Sequence, residues 1–595
     1  MSAREIIDVY ISFFEKRGHK RIANSPLVPE NDPTTLFTSS GMQPLIQYLL
    51  GEAHPSGNRL VDVQNCFRAV DIDEVGDNRH TTFFRMLGNW SLGDYFKKEE
   101  IPWLWEFLTV GLGLPQEKLF ITIFNGYQNI GKDNDSFAIW KRILEKSFGS
   151  PQEKRIFFDD TNWWSRSGVP DNMPVGEPGG PDTEVYFRFD DVEHNEKCQG
   201  DDPTKCECGK FLEIANSVFM QYIKTEKGFE NLPKQNVDFG GGLERLLAAV
   251  ENKSDVFKNS LFSPIIESIE QEAGKKYKGN ELEMRIVADH LIASIFLVAS
   301  GVTPSKNEQG YILRRLLRRS FDKFGELNGK NVESVLEKII EQYSQTDEIL
   351  KEKYEEIKYI ILEEKQNYKK TVDRAVSILD GGKSDDSAQV TKEISSEEAF
   401  KMYATHGLSP TQIKSLGYSF DKQGFANLME EHKNLSKTAS SGMFKGGLAD
   451  HSERTIMGHT ATHLLHQAIK DMLGTGVHQA GSNITSERVR FDFNFNRSLT
   501  PEEISELENT VNKKIKENLP VHFEIMPLEK AKEIGAIGLF DDKYAADVKV
   551  YFIGDYSKEF CGGPHVDFTG KIKRFKIIKQ DNIGHGNCRI YAQVA

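Results

Sequence analysis

Cysteine is scarce: six thiols in 595 residues are too few to staple a disulfide scaffold, and three of them crowd into residues 198 to 208. Such usage fits a reducing cytoplasm. No apolar run reaches the roughly 18 residues that a bilayer crossing needs. The N-terminus, MSAREIIDVYISFFEKRGHK, alternates apolar and charged positions at helical spacing, which is not the pattern of a secretory leader. A membrane span and a signal peptide are thereby disfavoured. Positive charge is also short. With 75 basic against 89 acidic residues the net charge is −14, so overall charge does not hold nucleic acid and any basic surface has to be local. There is no internal repeat and no low-complexity tract. The remainder, 38% hydrophobic and 28% charged, is an ordinary globular composition, and its length calls for about three or four domains.

The texture changes along the chain. Residues 1–250 mix aromatic strand-like runs (KLFITIFNGY, TEVYFRFD) with amphipathic helices and Gly/Pro turns, the pattern of an antiparallel α+β domain. Residues 251–437 carry long charged segments with apolar positions every three or four residues, which predicts a helical domain. GGKSDDSAQ at 381–389 reads as a loop. Residues 438–455, rich in Gly, Ser and Ala, read as a linker into a last α+β domain, 456–595.

That last domain holds two pairs of metal-ligating residue types. His459 and His463 lie four apart in GHTATHLLH, a spacing that projects both imidazoles from one helical face. Cys561 and His565 flank a Gly-Gly-Pro turn able to present both side chains to one point. A histidine on a Leu-rich helix is more often a packed core residue. The two pairs together make a tetrahedral shell of three nitrogens and one sulfur, for which zinc is the natural ion. A second cluster, His194, Cys198, Cys206 and Cys208, sits in the polar stretch HNEKCQGDDPTKCECGKF. Its spacing is irregular beside paired CxxC motifs, so structural zinc and a solvated loop with incidental thiols both remain open.

Three N-terminal segments carry groups suited to an activated phosphate ester and a small amino compound. Arg68, after Cys66-Phe67, has the planar donor fork that meets phosphate, and Phe84 in HTTFFRMLGN can stack on a base. Asn216 interrupts an apolar run with an amide. In VDFGGGLER, Asp238 and Arg245 bracket three glycines that permit close backbone approach to a ligand.

The ordered set NDPTTLFTSSGM (31–42), HTTFFRMLGNWSLGDYF (80–96), Asn216, DFGGGLER (238–245), RIVADH (285–290), GYILRRLLRR (310–319), HTATH and CGGPH resembles the alanyl-tRNA synthetase family over nearly the whole chain. The resemblance implies a class II catalytic domain, an antiparallel sheet flanked by helices, followed by a helical tRNA-recognition domain and a metal-bearing editing domain. It implies activation of alanine with ATP and Mg²⁺ and transfer to tRNA(Ala). Arg68 then meets the α-phosphate, His80 and Phe84 fill the second class motif, Phe84 stacking on adenine, and Arg245 meets the ATP phosphates. Asp238 takes the substrate α-ammonium, and Met42, Trp164 and Asn216 surround alanine and its adenylate. An alanine pocket discriminates poorly, because one methyl or one hydroxyl is worth only about 1–3 kcal/mol. The family's zinc-type HxxxH and CxxxH elements belong to a domain that hydrolyses mischarged Ser-tRNA and Gly-tRNA, and Gln479 matches an editing-pocket position. A metal-dependent deacylase with an inactive synthetase domain is the alternative. Retention of Arg68, His80, Phe84, Asp238 and Arg245 speaks against it.

For tRNA, Arg314, Arg315, Arg318 and Arg319 form a stripe on a helix whose Leu313, Leu316 and Leu317 face inward, and ten residues there contain no acid. KIKRFKIIK at 571–579 alternates basic and apolar residues. The family's acceptor-stem Asn is replaced by Lys306, with Asn307 adjacent, and its second readout Asp is absent from Tyr403-Ala404-Thr405-His406-Gly407. We expect a modified readout through Lys306 or Asn307. The linker leaves no room for the family's small β-barrel, and the usual C-terminal domain is missing before Ala595, so a compact monomer is expected.

Overall fold

The computed structural model describes residues 1–29, 35–128, 130–165, 167–196, 198, 200–306, 308–379, 392–406, 410–415, 418–429, 452–474, 476–495, 497–537, 547–561, 564–584 and 587–594. The loop at 381–389, most of the linker at 438–455, Asn307, Gly407 and the glycines between Cys561 and Pro564 lie outside them.

By contacts the chain forms two compact units, Met1–Ser387 with His406–Gln412, and Ala388–Thr405 with Ile413–Ala595. The first is built on a nine-stranded sheet. Its strands are β1 (Arg59–Phe67), β2 (Phe83–Leu92), β3 (Leu119–Phe124), β4 (Ile156–Asp159), β5 (Trp163–Ser165), β6 (Pro178–Arg188), β7 (Phe211–Thr225) and β8 (Gly228–Gly242). The order is Lys20–Arg21, β1, β2, β8, β7, β6, β3, β4, with β5 beside β6. Every pairing is antiparallel except the parallel contacts of Lys20–Arg21 with β1 and of β3 with β4. Helix α1 (Ala3–Glu15) starts from a Ser2 capping box with Glu5 and buries Ile6, Tyr10, Ile11 and Phe14. Its Tyr10 hydroxyl donates to Asn89 Oδ1 of β2 at 2.9 Å.

The division at 387/388 falls inside the stretch expected as one helical domain, and the core explains why. After the short α2 (Leu243–Val250), helix α3 (Glu281–Ala299) is apolar on nearly all sides and buried from Met284 to Val298 apart from Arg285. Phe296 of α3 stacks on Phe83 of β2, centroids 3.9 Å apart and planes at 15°. Helices α4 (Glu308–Glu326), α5 (Val332–Tyr343) and α6 (Tyr354–Leu379) extend that same core, which runs from Ala3 to Tyr368. Composition changes near residue 251, but the apolar core does not stop there.

The second unit centres on α7 (Glu453–Leu473), capped by Ser452 and buried around most of its surface. One sheet runs β9 (Gln479–Ile484), β10 (Val489–Asn494), β15 (Asn587–Val594), β14 (Phe575–Gly584), and another runs β11 (Val521–Pro527), β12 (Asp547–Ile553), β13 (Ser557–Phe560). Among the described residues no helix is long and apolar enough to cross a membrane.

Candidate active site and metal centres

The segment between β1 and β2 is closed at its base. The Arg68 amide donates to Thr82 O at 2.9 Å, and Thr82 donates from both its amide and its hydroxyl to Asp289 of α3, each at 2.7 Å. Within that loop Asp77 receives the amides of Arg79 and His80 and lies 2.6 Å from His80 Nδ1. Burial alone would raise the Asp77 carboxyl, yet these donors hold it well below the ordinary carboxylate range. The His80 ring is thereby fixed from behind.

The loop, β2, β5, β7, β8 and the start of α2 enclose a cavity of about 240 Å³. Seven of the residues singled out in the sequence line it: Arg68, His80 and Phe84 on one side, Trp164 on another, and Asn216, Asp238 and Arg245 across the floor. The Arg68 guanidinium lies 4.8 Å from the Phe84 ring centre, and its Nε donates to Ser39 O at 3.1 Å. Arg245 is held by Glu213, whose carboxylate and backbone oxygens accept from Nη1 at 3.0 and 3.2 Å. Asp238 is buried under the cavity and accepts from Trp90 Nε1 at 2.7 Å. Burial pushes its carboxyl up to about 7.

Asn216 donates from its amide nitrogen to Glu184 Oε1 at 3.3 Å, which leaves its buried Oδ1 without a protein partner. Two acceptors, Asn216 Oδ1 and the Asp238 carboxyl, therefore serve one cavity with no protein cation on them. The glycine run is not a turn: Gly240 stays in β8, paired with both Gly88 and Asn216, and a Cβ there would lie 3.1 Å from Met86 Sδ. Its missing side chain keeps the floor open.

Met42 is placed elsewhere. It is buried among Leu45, Leu49, Trp90 and Met220 and lines an adjoining cavity of about 510 Å³, with Trp164 as the shared wall. Its apolar cluster also takes in Leu60 of β1 and Leu92 of β2.

The arginine stripe on α4 also differs from a free phosphate-binding face. Leu313, Leu316 and Leu317 face inward as the spacing predicts. Arg315 reaches Asp73 at 2.7 Å, Arg319 reaches Ile72 O at 2.7 Å and Asp73 at 3.2 Å, and Arg318 reaches Glu364 at 2.8 Å. Arg314 stands beside Tyr311, its guanidinium 6.0 Å from the ring centre. The acids that pair three of these arginines come from distant segments, so a local window without acid did not reveal them. Lys306 is exposed on the loop before α4. In the basic stretch near the C-terminus, Lys571 pairs with Asp567 and Lys579 with Asp581. Tyr403 packs against Phe400 and Phe425.

In the second unit, α7 presents His459 and His463 to Cys561 and His565, and the four ligand atoms lie within 4.8 Å of one another. Cys561 Sγ is 3.4 Å from both His459 Nε2 and His565 Nε2. The outer nitrogens are engaged behind them, His459 Nδ1 at 3.0 Å from Pro564 O and His565 Nδ1 at 3.2 Å from Thr460 Oγ1. That arrangement turns both Nε2 atoms inward, as a hydrogen bond to the outer nitrogen does for metal-bound histidine. Burial depresses the His459 imidazole to about 3 and lowers His463 and His565 too, so the rings are neutral and able to ligate. Gln479 opens β9, half-buried, on the strand after the ligand helix.

The other cluster is equally compact. Cys206 Sγ lies 3.2 Å from Cys208 Sγ and 3.6 Å from both Cys198 Sγ and His194 Nδ1. A tetrahedral zinc with Zn–S bonds of about 2.3 Å sets its ligands roughly 3.8 Å apart, so both donor sets fit that ion. None of the six cysteines forms a disulfide.

Several contributors went unnoticed in the sequence. Glu213 and Glu184 orient Arg245 and Asn216 from the neighbouring strands, and Asp289 secures the loop from 207 residues away. Only Glu244, next to Arg245 in the glycine motif, stood where a local signal could have found it.

Residues 5–475 match the family model described as tRNA synthetases class II (A), and residues 548–591 match the threonyl and alanyl tRNA synthetase second additional domain. An alanine–tRNA ligase of Treponema denticola is 43% identical, over 99% of this chain and 98% of the relative. One from Borreliella afzelii is 42% identical over 98% of both, and one from Petrotoga mobilis is 31% identical over 99% of this chain and 79% of the relative.

Proposed function

Because the chain belongs to the alanine–tRNA ligase family of class II synthetases, we propose that its N-terminal cavity joins alanine to ATP and charges tRNA(Ala), while its second unit hydrolyses mischarged tRNA. The observation that carries the first half is the convergence of phosphate-seeking Arg68 and Arg245, base-stacking Phe84, and the acceptors Asp238 and Asn216 on one cavity.

The alanine carboxylate attacks the α-phosphorus, forming the mixed anhydride while pyrophosphate leaves. The terminal ribose hydroxyl of the tRNA then attacks the carbonyl carbon, and AMP leaves. No protein nucleophile is required; alignment and charge neutralisation carry the rate. Arg68, steadied by Ser39 O, and Arg245, steadied by Glu213, act on the phosphates. Asp71 and Glu213, carboxylates on the cavity wall, would hold the Mg²⁺ that accompanies ATP, a hard ion with oxygen ligands. Mg²⁺ supplies further neutralisation of the phosphates. Asp238 and Asn216 Oδ1 accept from the substrate ammonium, and Trp164 closes the side-chain end.

This reading is tested by alanine-dependent ATP–pyrophosphate exchange, compared with serine and glycine. Absence of exchange with alanine would leave only the deacylase. The pH dependence is specific. In the empty cavity Asp238 is protonated below about 7, and ammonium binding needs the carboxylate. The KM for alanine should fall about tenfold per unit as pH rises toward 7 and then level off. Asp238→Asn should raise KM and flatten that profile; a wild-type KM flat from about pH 5.5 to 8 would contradict the assignment.

Editing follows from the weak contrast of an alanine pocket. Hydrolysis of the serine or glycine ester consumes water and returns the free amino acid and the tRNA hydroxyl. His459, His463, Cys561 and His565 would hold Zn²⁺, which supplies a Lewis acid there. His194, Cys198, Cys206 and Cys208 would hold a second, structural zinc that pins the segment between β6 and β7 against Phe120 and Phe211. Changing Cys206 and Cys208 to Ser should remove one zinc equivalent, read by elemental analysis, while the equivalent in the second unit stays. Unchanged zinc content would dismiss the structural site. Six cysteines outside any disulfide fit a cytoplasmic location. Acceptor-stem readout by Lys306 or Asn307, with backbone contact from Arg314, remains our proposal for tRNA recognition.

A further inference from the structure

The three-stranded sheet of the second unit carries a row of side chains from the metal cluster to solvent. Phe523 on β11 pairs in register with Tyr551 on β12, and Tyr551 pairs with Glu559 on β13, so the three share one face. At the inner end Glu559 is buried, 3.2 Å from His466 Nδ1 and 3.8 Å from His463 Nε2. In the middle the Tyr551 ring, also buried, lies 4.1 Å from the His565 ring. At the outer end Phe523 is 49% exposed, its ring 5.5 Å from that of Tyr551. On the same face Lys549 places Nζ 3.9 Å from the Phe523 ring centre and donates to the Tyr551 hydroxyl at 3.0 Å.

Among the described residues Phe523 belongs neither to the apolar cluster around α7 nor to that of Met526, Ala531 and Val550. An exposed phenylalanine on the edge strand of a sheet is a liability that folding does not require. Its chemistry has a use beside a site that handles a nucleotide ester. An aromatic face stacks on any base, and a neighbouring lysine neutralises a phosphate. The Tyr551 ring lies 5.5 Å from Phe523 and 4.1 Å from His565, a span suited to one nucleotide whose ribose carries the ester.

Resting on the editing function proposed above, we propose that Phe523 and Lys549 seat the 3′-terminal nucleotide of mischarged tRNA. The base stacks on Phe523 and the phosphate meets Lys549, which delivers the ester to the cluster of His459, His463, Cys561 and His565. Charge complementarity and continuity with the metal cluster favour this occupant over a peptide strand added to the edge of β11.

The test uses the full chain and two serine-charged tRNAs, one with its terminal base and one abasic at that nucleotide. Phe523→Ala should lower kcat/KM for deacylation of the normal substrate about 5- to 150-fold, the alanine cost of one base–aromatic stack. Phe523→Trp should retain activity, and alanine-dependent exchange and zinc content should not change. With the abasic tRNA, wild type should fall to the level of the alanine variant, which should lose nothing more. Lys549→Ala should reduce the salt dependence of deacylation by about one phosphate contact. Equal deacylation by wild type and Phe523→Ala would overturn the seat, as would an equal loss on both substrates, which marks a structural role or an edge-strand partner. If wild type does not hydrolyse Ser-tRNA at all, the editing function fails first and the seat with it. If it hydrolyses Ser-tRNA and Phe523 is indifferent, only the seat fails.

Discussion

Arg85→Ala should destabilise the N-terminal unit by about 3–5 kcal/mol, the usual cost of removing one partner from a buried ion pair, and should abolish ATP-dependent exchange. Arg85 is 1% exposed and Glu244 2%. Arg85 Nε donates to Glu244 Oε1 at 3.1 Å, its amide donates to Oε2 at 3.0 Å, and Nη1 donates to Thr346 Oγ1 at 2.5 Å. Asp347 adds a carboxylate at 3.5 Å. Truncation leaves the Glu244 carboxylate buried with no guanidinium to offset its desolvation. Function follows because each partner adjoins a cavity residue: Arg85 follows Phe84, and Glu244 precedes Arg245. Arg85→Lys should recover only part of the loss, since an ammonium cannot reproduce the planar fork between Glu244 and Thr346. Replacing the pair together, Arg85→Met with Glu244→Leu, should be far milder for stability than Arg85→Ala, because the buried Glu244 charge leaves with its partner and Asp347 keeps its hydrogen bonds from Asn65 and Thr346. Urea unfolding of the four proteins reads the stability, and exchange reads the function. A midpoint for Arg85→Ala equal to wild type would show that the pair contributes nothing net.

What the sequence revealed and what it concealed divide along sequence distance. A four-residue spacing fixes the relation of two side chains on a helix before any tertiary contact forms, so His459 and His463 could be placed on one face from the chain alone. The same rule put Leu313, Leu316 and Leu317 inward on α4. The acids that occupy the arginines between them could not be read that way. Asp73 lies 242 residues from Arg315, and their pairing depends on how α4 packs against the loop after β1. A window free of acid therefore did not show that three of these arginines are already paired. Asp289 gripping Thr82 and Glu213 holding Arg245 belong to the same class, contacts decided by strand order and helix docking. The glycines of β8 carried a local signal, close backbone approach to a ligand, but their cross-strand pairing was not local: it keeps them extended and uses only their lack of a side chain. The change of texture near residue 251 reports solvent exposure, and α3 continues the apolar core past it with a different surface pattern.

Cys561→Ser should separate the two activities. Serine is a much poorer zinc ligand than thiolate, and the three imidazoles left behind supply only nitrogens to an ion the fourth position no longer anchors. Ser-tRNA deacylation should fall by more than the roughly 100-fold typical of losing an outer-shell partner, one zinc equivalent should be lost, and alanine-dependent exchange should be unchanged because that cavity lies in the other compact unit. The fold around the site should survive the loss. Its loop is tied to α7 by contacts that need no ion, the Val566 amide donating to Thr460 Oγ1 at 3.2 Å and His459 Nδ1 donating to Pro564 O at 3.0 Å. His463→Gln should behave alike in deacylation and zinc content while leaving those two ties in place. Deacylation that persists in a zinc-free Cys561→Ser protein would remove the metal from editing, and a parallel collapse of exchange would show that the substitution acts through folding, against the independence of the two centres. The expected split, with charging retained and proofreading lost, follows from a donor set whose outer nitrogens are held by Pro564 O and Thr460 Oγ1 without the ion.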